Sequence, residues 1–142
     1  MVSFSDAVQR AFQQYFTFRG RSTRAEYWWF FLFLIIGEVL LSLVDIMMGT
    51  YSVESGSGFG SGLFVSLFTL GTLIPRLALG ARRLHDINRT GWWQLMWLSV
   101  VLAVRAISFE LFWFALILVV VPAIILMVWA AKQGDDGPNK YG

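Results

Sequence analysis

Three polar segments hold most of the side chains with usable chemistry. Residues 18–28, FRGRSTRAEYW, place Arg19, Arg21 and Arg24 around Gly20, a residue that permits a tight turn, and run on to Glu26. Guanidinium groups at that density suit phosphate or carboxylate, so one reading is an anion site for lipid headgroups or a phosphorylated ligand. The other is a retention signal at a membrane surface joined to a helix cap, since inner-side arginines need no ligand to account for them. Residues 81–93, ARRLHDINRTGWW, offer Arg82, Arg83, His85 and Asp86, with Gly91 following. Arg82 and Asp86 stand four apart and would pair on a continuing helix. His85 beside Asp86 could handle a proton near neutrality. No serine, cysteine or second carboxylate stands nearby to complete a hydrolytic set, and the alternative is a hydrogen-bonded loop tying two helices together. Residues 134–142, GDDGPNKYG, are turn formers, with Asn139 near the end. Asp135 and Asp136 could hold a divalent cation or answer nearby arginines. We assign no residue to catalysis, none to a metal, and no cofactor.

Three further charges lie inside apolar stretches. Glu38, Ser42 and Asp45 recur at i, i+4 and i+7, on one face of a helix. A charge at mid-bilayer costs at least about 2.5 kcal/mol and calls for a partner or a function. Glu38 lies ten residues inside Trp28, roughly 15 Å deep at 1.5 Å per residue, and Arg76 lies roughly 10 Å inside Arg83 by the same rise. A long arginine side chain can close that gap. Asp45, near the other surface, would suit Arg105. Structural pairing and an ion pathway both fit these intramembrane charges.

The elements that must position these residues are mostly apolar. Of 142 residues, 57% are hydrophobic and 14% charged, and the mean hydropathy is +0.64. Soluble domains run at about 45–50% apolar and about 25% charged, so lipid must solvate part of this surface. Seven Trp and thirteen Phe fit the same account. The chain has no Cys, which excludes disulfides and thiolate chemistry, and one His leaves a conventional zinc site few ligands.

Four stretches reach spanning length: about 28–48, 63–83, 92–109 and 111–131, the third needing to continue past Arg105. The first is read as an uncleaved helix. Residues 55–62 form a Ser-Gly loop, the last two spans join tightly around Ser108, and 132–142 form a tail. Before the first span, Phe4, Val8, Phe12, Tyr15 and Phe16 recur at helical spacing, which predicts an amphipathic helix over about 4–17 lying on the membrane surface. Thr23 and Glu26 then match a capping box that starts the first span. Nine Lys and Arg fall on the side of the termini and the 82–91 loop, against Arg105 alone on the other. That bias puts both termini in the cytoplasm and the three polar segments on one cytoplasmic face.

Taken together, the patterns F-x-G-R-x-x-R-x-E-Y-W, R-R-L-H-D-x-x-x-x-G-W-W and G-x-x-G-x-N-x-Y-G resemble the bacterial membrane proteins of domain of unknown function 805, the YhaH/YhaI type. The resemblance covers about Phe16 to Gly142, with three motifs in order around the same spans. It implies a four-span fold in the bacterial inner membrane and no assigned activity. The fold expected is therefore all-α: four transmembrane helices in a single membrane domain, 1–142, preceded by an interfacial helix. The leading functional reading is a non-catalytic scaffold or a sensor of anionic ligands or lipids at a cytoplasmic polar cap. Its partners would be the bilayer with its anionic headgroups, a second copy or another membrane protein, and not nucleic acid. An oligomeric transporter or channel using Glu38 and Arg76 is one alternative. An enzyme on phosphorylated lipids using His85 and Asp86 is the other.

Overall fold

The computed structural model describes residues 2–51, 62–95 and 112–142, with side chains from residue 120 onward in the last stretch. The loop 55–62 apart from Gly62, most of the stretch 92–109, Arg105 and Ser108 lie outside the described residues. Every regular element among the described residues is helical: α1 (Phe4–Gln13), α2 (Arg24–Met48), α3 (Leu63–Asp86), a 3-10 turn at Gly91–Gln94, and α4 (Phe112–Ala131). The chain forms two compact units, one of Met1–Phe16 with Ala25–Ala78, the other of Thr17–Arg24 with Leu79–Gly142.

In the first unit, α1 starts at a capping box that the sequence reading passed over. The Ser3 hydroxyl accepts from the Asp6 amide, and the Asp6 carboxylate accepts from the Ser3 amide. The Ser3 side chain, and after it the Ser3 amide, hold the Asp6 carboxyl below its ordinary pKa. The helix ends at Gln13, short of the expected 17. Its inward face is drawn by Ala7 and Ala11, four apart and both buried, while Phe4 and Phe12 flank them. Phe4 meets Trp29 edge-on, and Phe12 meets both Phe30 and Phe33. The small alanines allow close approach and the aromatics lock it, so α1 is docked on the start of α2. An ion pair of Arg10 with Glu26 at 2.8 Å and a bond from the Trp29 indole to the Val2 carbonyl at 3.2 Å complete that contact.

α2 and α3 are both long and apolar enough to cross a membrane. At 1.5 Å per residue, the 25 residues of α2 measure about 37 Å, against a hydrocarbon core of about 30 Å. Leu32, Ile35, Ile36, Val39, Leu40 and Leu43 are all exposed on α2. So contiguous an apolar surface requires lipid or another apolar partner.

The ends of these helices are built from polar groups in short reach. α2 closes with Gly49 at φ +67°, the Gly49 and Thr50 amides bonding back to Ile46 and Asp45 carbonyls at 3.2 and 2.9 Å, a Schellman ending. The Asp45 side chain, fully buried, accepts from the Thr50 hydroxyl and from the Phe64 and Val65 amides, the latter two at 3.0 and 2.9 Å. One carboxylate from the end of α2 thus caps the beginning of α3, where the helix dipole favours negative charge. Arg105, the partner expected for Asp45, lies outside the described residues. Gly62 is required for this cap, because a Cβ there would strike the Asp45 carboxylate. Farther along α3, buried Pro75 has no N–H for the Gly71 carbonyl. The Tyr15 hydroxyl donates to that carbonyl at 2.7 Å. Arg76 and Glu38 approach to 3.9 Å, with their side chains 46% and 43% exposed.

Candidate functional site

The second unit carries all three polar motifs, apart from residues 25–28 at the end of the first motif. α3 runs three residues beyond the expected end of its span, to Asp86, and stops in a second Schellman ending. Asn88 takes φ +56°, a value Asn tolerates, while the Asn88 and Arg89 amides bond to the His85 and Leu84 carbonyls at 3.0 and 2.8 Å. This ending fixes His85 and Asp86 on the last turn. Gly20, at φ +89°, turns the segment before α2 so that Ser22 lies along the end of α3. The Ser22 amide donates to the Arg82 carbonyl at 3.1 Å and its hydroxyl to the Leu79 carbonyl at 3.3 Å. Ser22 is buried, and no charge or spacing in the sequence marks it.

Asp86 sits between two arginines. Arg21 Nε donates to Oδ1 at 2.8 Å, and Arg83 Nη1 pairs with Oδ2. Arg83, three residues back, thus holds the carboxylate expected to bind Arg82, four back; Arg82 is buried nearby. The Arg83 side chain is 1% exposed and turns two further nitrogens to the end of α4, Nε to the Ala130 carbonyl at 2.9 Å and Nη2 to the Lys132 carbonyl. A cation at a helix C-terminus complements both the dipole and the open carbonyls. Arg21 serves the tail: Nη1 donates to the Gly137 and Gly142 oxygens at 2.7 and 3.2 Å, and Nη2 to the Asp135 carbonyl.

The tail is held from the other side as well. The Asp135 amide donates to the Asp86 carbonyl at 2.9 Å, and Asn139 Nδ2 donates to the His85 carbonyl at 3.0 Å. Asn139 also turns the tail back on itself, its Oδ1 accepting from the Tyr141 amide at 3.0 Å. Tyr141 stacks on His85 with ring centres 3.9 Å apart and planes 8° from parallel. Gly134 has to be glycine, since a Cβ there would enter the Asp86 carboxylate. His85 Nδ1 lies 3.2 Å from the Gly20 carbonyl, a bond that places the proton on Nδ1. The imidazole therefore turns to the Gly20 backbone and the carboxylate to the arginines, and the two do not form the proton-handling pair considered above.

Glu26 belongs to the first unit, with Arg10. Gly91 opens the 3-10 turn, where a Cβ would press on Ala81. Arg19 is exposed, and Arg24 reaches the Ala131 carbonyl at 3.5 Å. Glu38, Asp45 and Arg76 stand in the first unit.

The family model described as a protein of unknown function (DUF805) matches residues 15–142. The chain belongs to the DUF805 family. It is 29% identical over 137 residues to the inner membrane protein YhaH of Escherichia coli K12, which covers 96% of this chain and 93% of that protein. It is 28% identical over 130 residues to the inner membrane protein YhaI of the same organism, covering 92% and 86%. No solved structure matches. The DUF805 match contains all three polar motifs. Together with two helices of spanning length, these relatives support a location in a bacterial inner membrane.

Proposed function

We propose that this chain is a non-catalytic scaffold of the bacterial inner membrane, with four spans, an N-terminal helix at the inner surface and both termini in the cytoplasm. The polar cap is then a clasp that fixes the cytoplasmic ends of the helices and offers a rigid face to partners. The observation that carries this reading is the saturation of Asp86: both carboxylate oxygens go to arginines, and its neighbour His85 is bonded to Gly20 and covered by Tyr141. A general base needs a lone pair open toward its substrate. Here the Asp86 lone pairs face two arginines and the His85 Nδ1 proton faces the Gly20 backbone.

His85→Gln separates this reading from an enzyme on phosphorylated lipids. A scaffold loses melting temperature in detergent and has no phosphate release to lose. Phosphate release from phosphatidic acid or phosphatidylglycerol phosphate by the parent, abolished in a His85→Gln variant that melts unchanged, contradicts the scaffold. A second reading, passage of a small solute or ion through an oligomer, draws on the half-exposed Glu38 and Arg76 pair. Proton- or ion-dependent flux into proteoliposomes, lost in Glu38→Gln, would favour it.

A further inference from the structure

The arginines of the clasp hold a carboxylate and backbone carbonyls, yet the same unit carries a second set of cations with no carboxylate partner among the described residues. Its described residues include eight Lys and Arg against three Asp. Arg24, Arg89 and Lys132 are all exposed and gather at the last turn of α4. Arg89 lies over the Trp129 ring at 4.7 Å, Trp93 meets Trp129 edge-on at 5.4 Å, and Arg24 reaches the carbonyl of Ala131, the residue before Lys132. No carboxylate pairs with any of the three among the described residues.

The geometry points to a binding surface for one anionic phospholipid headgroup, formed by Arg24, Arg89 and Lys132 on the Trp93–Trp129 platform. A guanidinium stacked on an indole keeps its N–H edge free for phosphate oxygens, and stacking limits the entropy lost on binding. Trp side chains settle at the headgroup layer, apolar body toward the acyl region and N–H toward water. Cations near that layer attract anionic lipid by about fivefold in affinity each. A phospholipid is favoured over a free phosphate because the platform at the end of an apolar helix supplies acyl-side contact that a free anion cannot use. The inference rests on the proposed placement of this end of α4 at the inner surface.

The test uses the full chain in neutral detergent, titrated with dioleoylphosphatidylglycerol or dioleoylphosphatidylcholine and read by native mass spectrometry. The parent retains phosphatidylglycerol in preference to phosphatidylcholine, and added inorganic phosphate does not displace it. Arg24→Gln, Arg89→Gln and Lys132→Gln together abolish the preference, while Arg19→Gln, an exposed arginine outside the cluster, keeps it. Trp129→Leu retains every charge and still weakens retention. Equal retention of both lipids by the parent overturns the inference. So does an unchanged triple variant, a Trp129→Leu variant that binds like the parent, ready displacement by phosphate, or an equal loss in Arg19→Gln. Micelles have no sides, so failure here leaves the membrane topology to its own labelling experiment.

Discussion

Replacing Asp86 with asparagine keeps the shape of the side chain and removes the charge that Arg21 and Arg83 share. Hydrogen bonds to a charged group contribute about 1.5–3 kcal/mol, against about 1 kcal/mol between neutral groups. Two such bonds are weakened here, and asparagine offers one acceptor where the carboxylate offered two. The side chains of Asp86 and Arg83 are 14% and 1% exposed, so little solvent is present to compensate. Arg83 retains two carbonyl acceptors and Arg21 three, which keeps the loss below the 3–5 kcal/mol typical of a stranded buried charge. The expected destabilisation is about 2–3 kcal/mol. It is measured by thermal or denaturant unfolding in mild detergent, with limited proteolysis of residues 132–142 as a second readout. Asp136→Asn, on an exposed tail residue, serves as the control and should change stability by less than about 0.5 kcal/mol. Arg21→Gln in the Asp86→Asn background should cost less than in the parent, because the two act through one contact. An Asp86→Asn variant that unfolds like the parent and keeps its tail protected refutes the clasp.

Other perturbations test the first unit. Asp45→Ala removes the cap of α3 and leaves two amides unanswered, an expected loss of about 1–2 kcal/mol or more in detergent unfolding, and Gly62→Ala should fail at the same place. Tyr15→Phe strands the Gly71 carbonyl that Pro75 cannot serve, with an expected cost of about 1 kcal/mol by the same measurement. Glu38→Gln and Arg76→Met should each lower the folded yield, and the double variant should recover much of it; single variants that express and melt like the parent would dissolve the pair.

Much of the second unit was legible because turn formers and arginines punctuate an otherwise apolar chain. Gly20, the run before Asn88 and the tail after Gly134 all carry signals of residue type. The approach of Glu38 and Arg76 to 3.9 Å was anticipated from helical rise alone. Other contacts leave no such trace. Asp45 looks like a stray membrane charge until the start of α3, nearly twenty residues on, is seen to lie beneath it. Pairing of Asp86 with Arg83 in place of Arg82 turns on an i, i+3 or i, i+4 choice that spacing does not resolve. For α1, the large aromatics drew attention to a lipid-facing helix, whereas buried Ala7 and Ala11 make the contact. Tyr15 answers a vacancy created by a proline sixty residues away, and only the packed structure brings them together.

The central claim is a four-span arrangement that puts the clasp in the cytoplasm, and cysteine accessibility tests it most directly. The chain has no cysteine, so each introduced thiol is the sole target. In intact cells, a membrane-impermeant maleimide should label Ser57→Cys and Ser108→Cys and leave Asp136→Cys and Lys140→Cys untouched until the inner membrane is opened. Labelling of Lys140→Cys from outside, or protection of Ser108→Cys, contradicts the account.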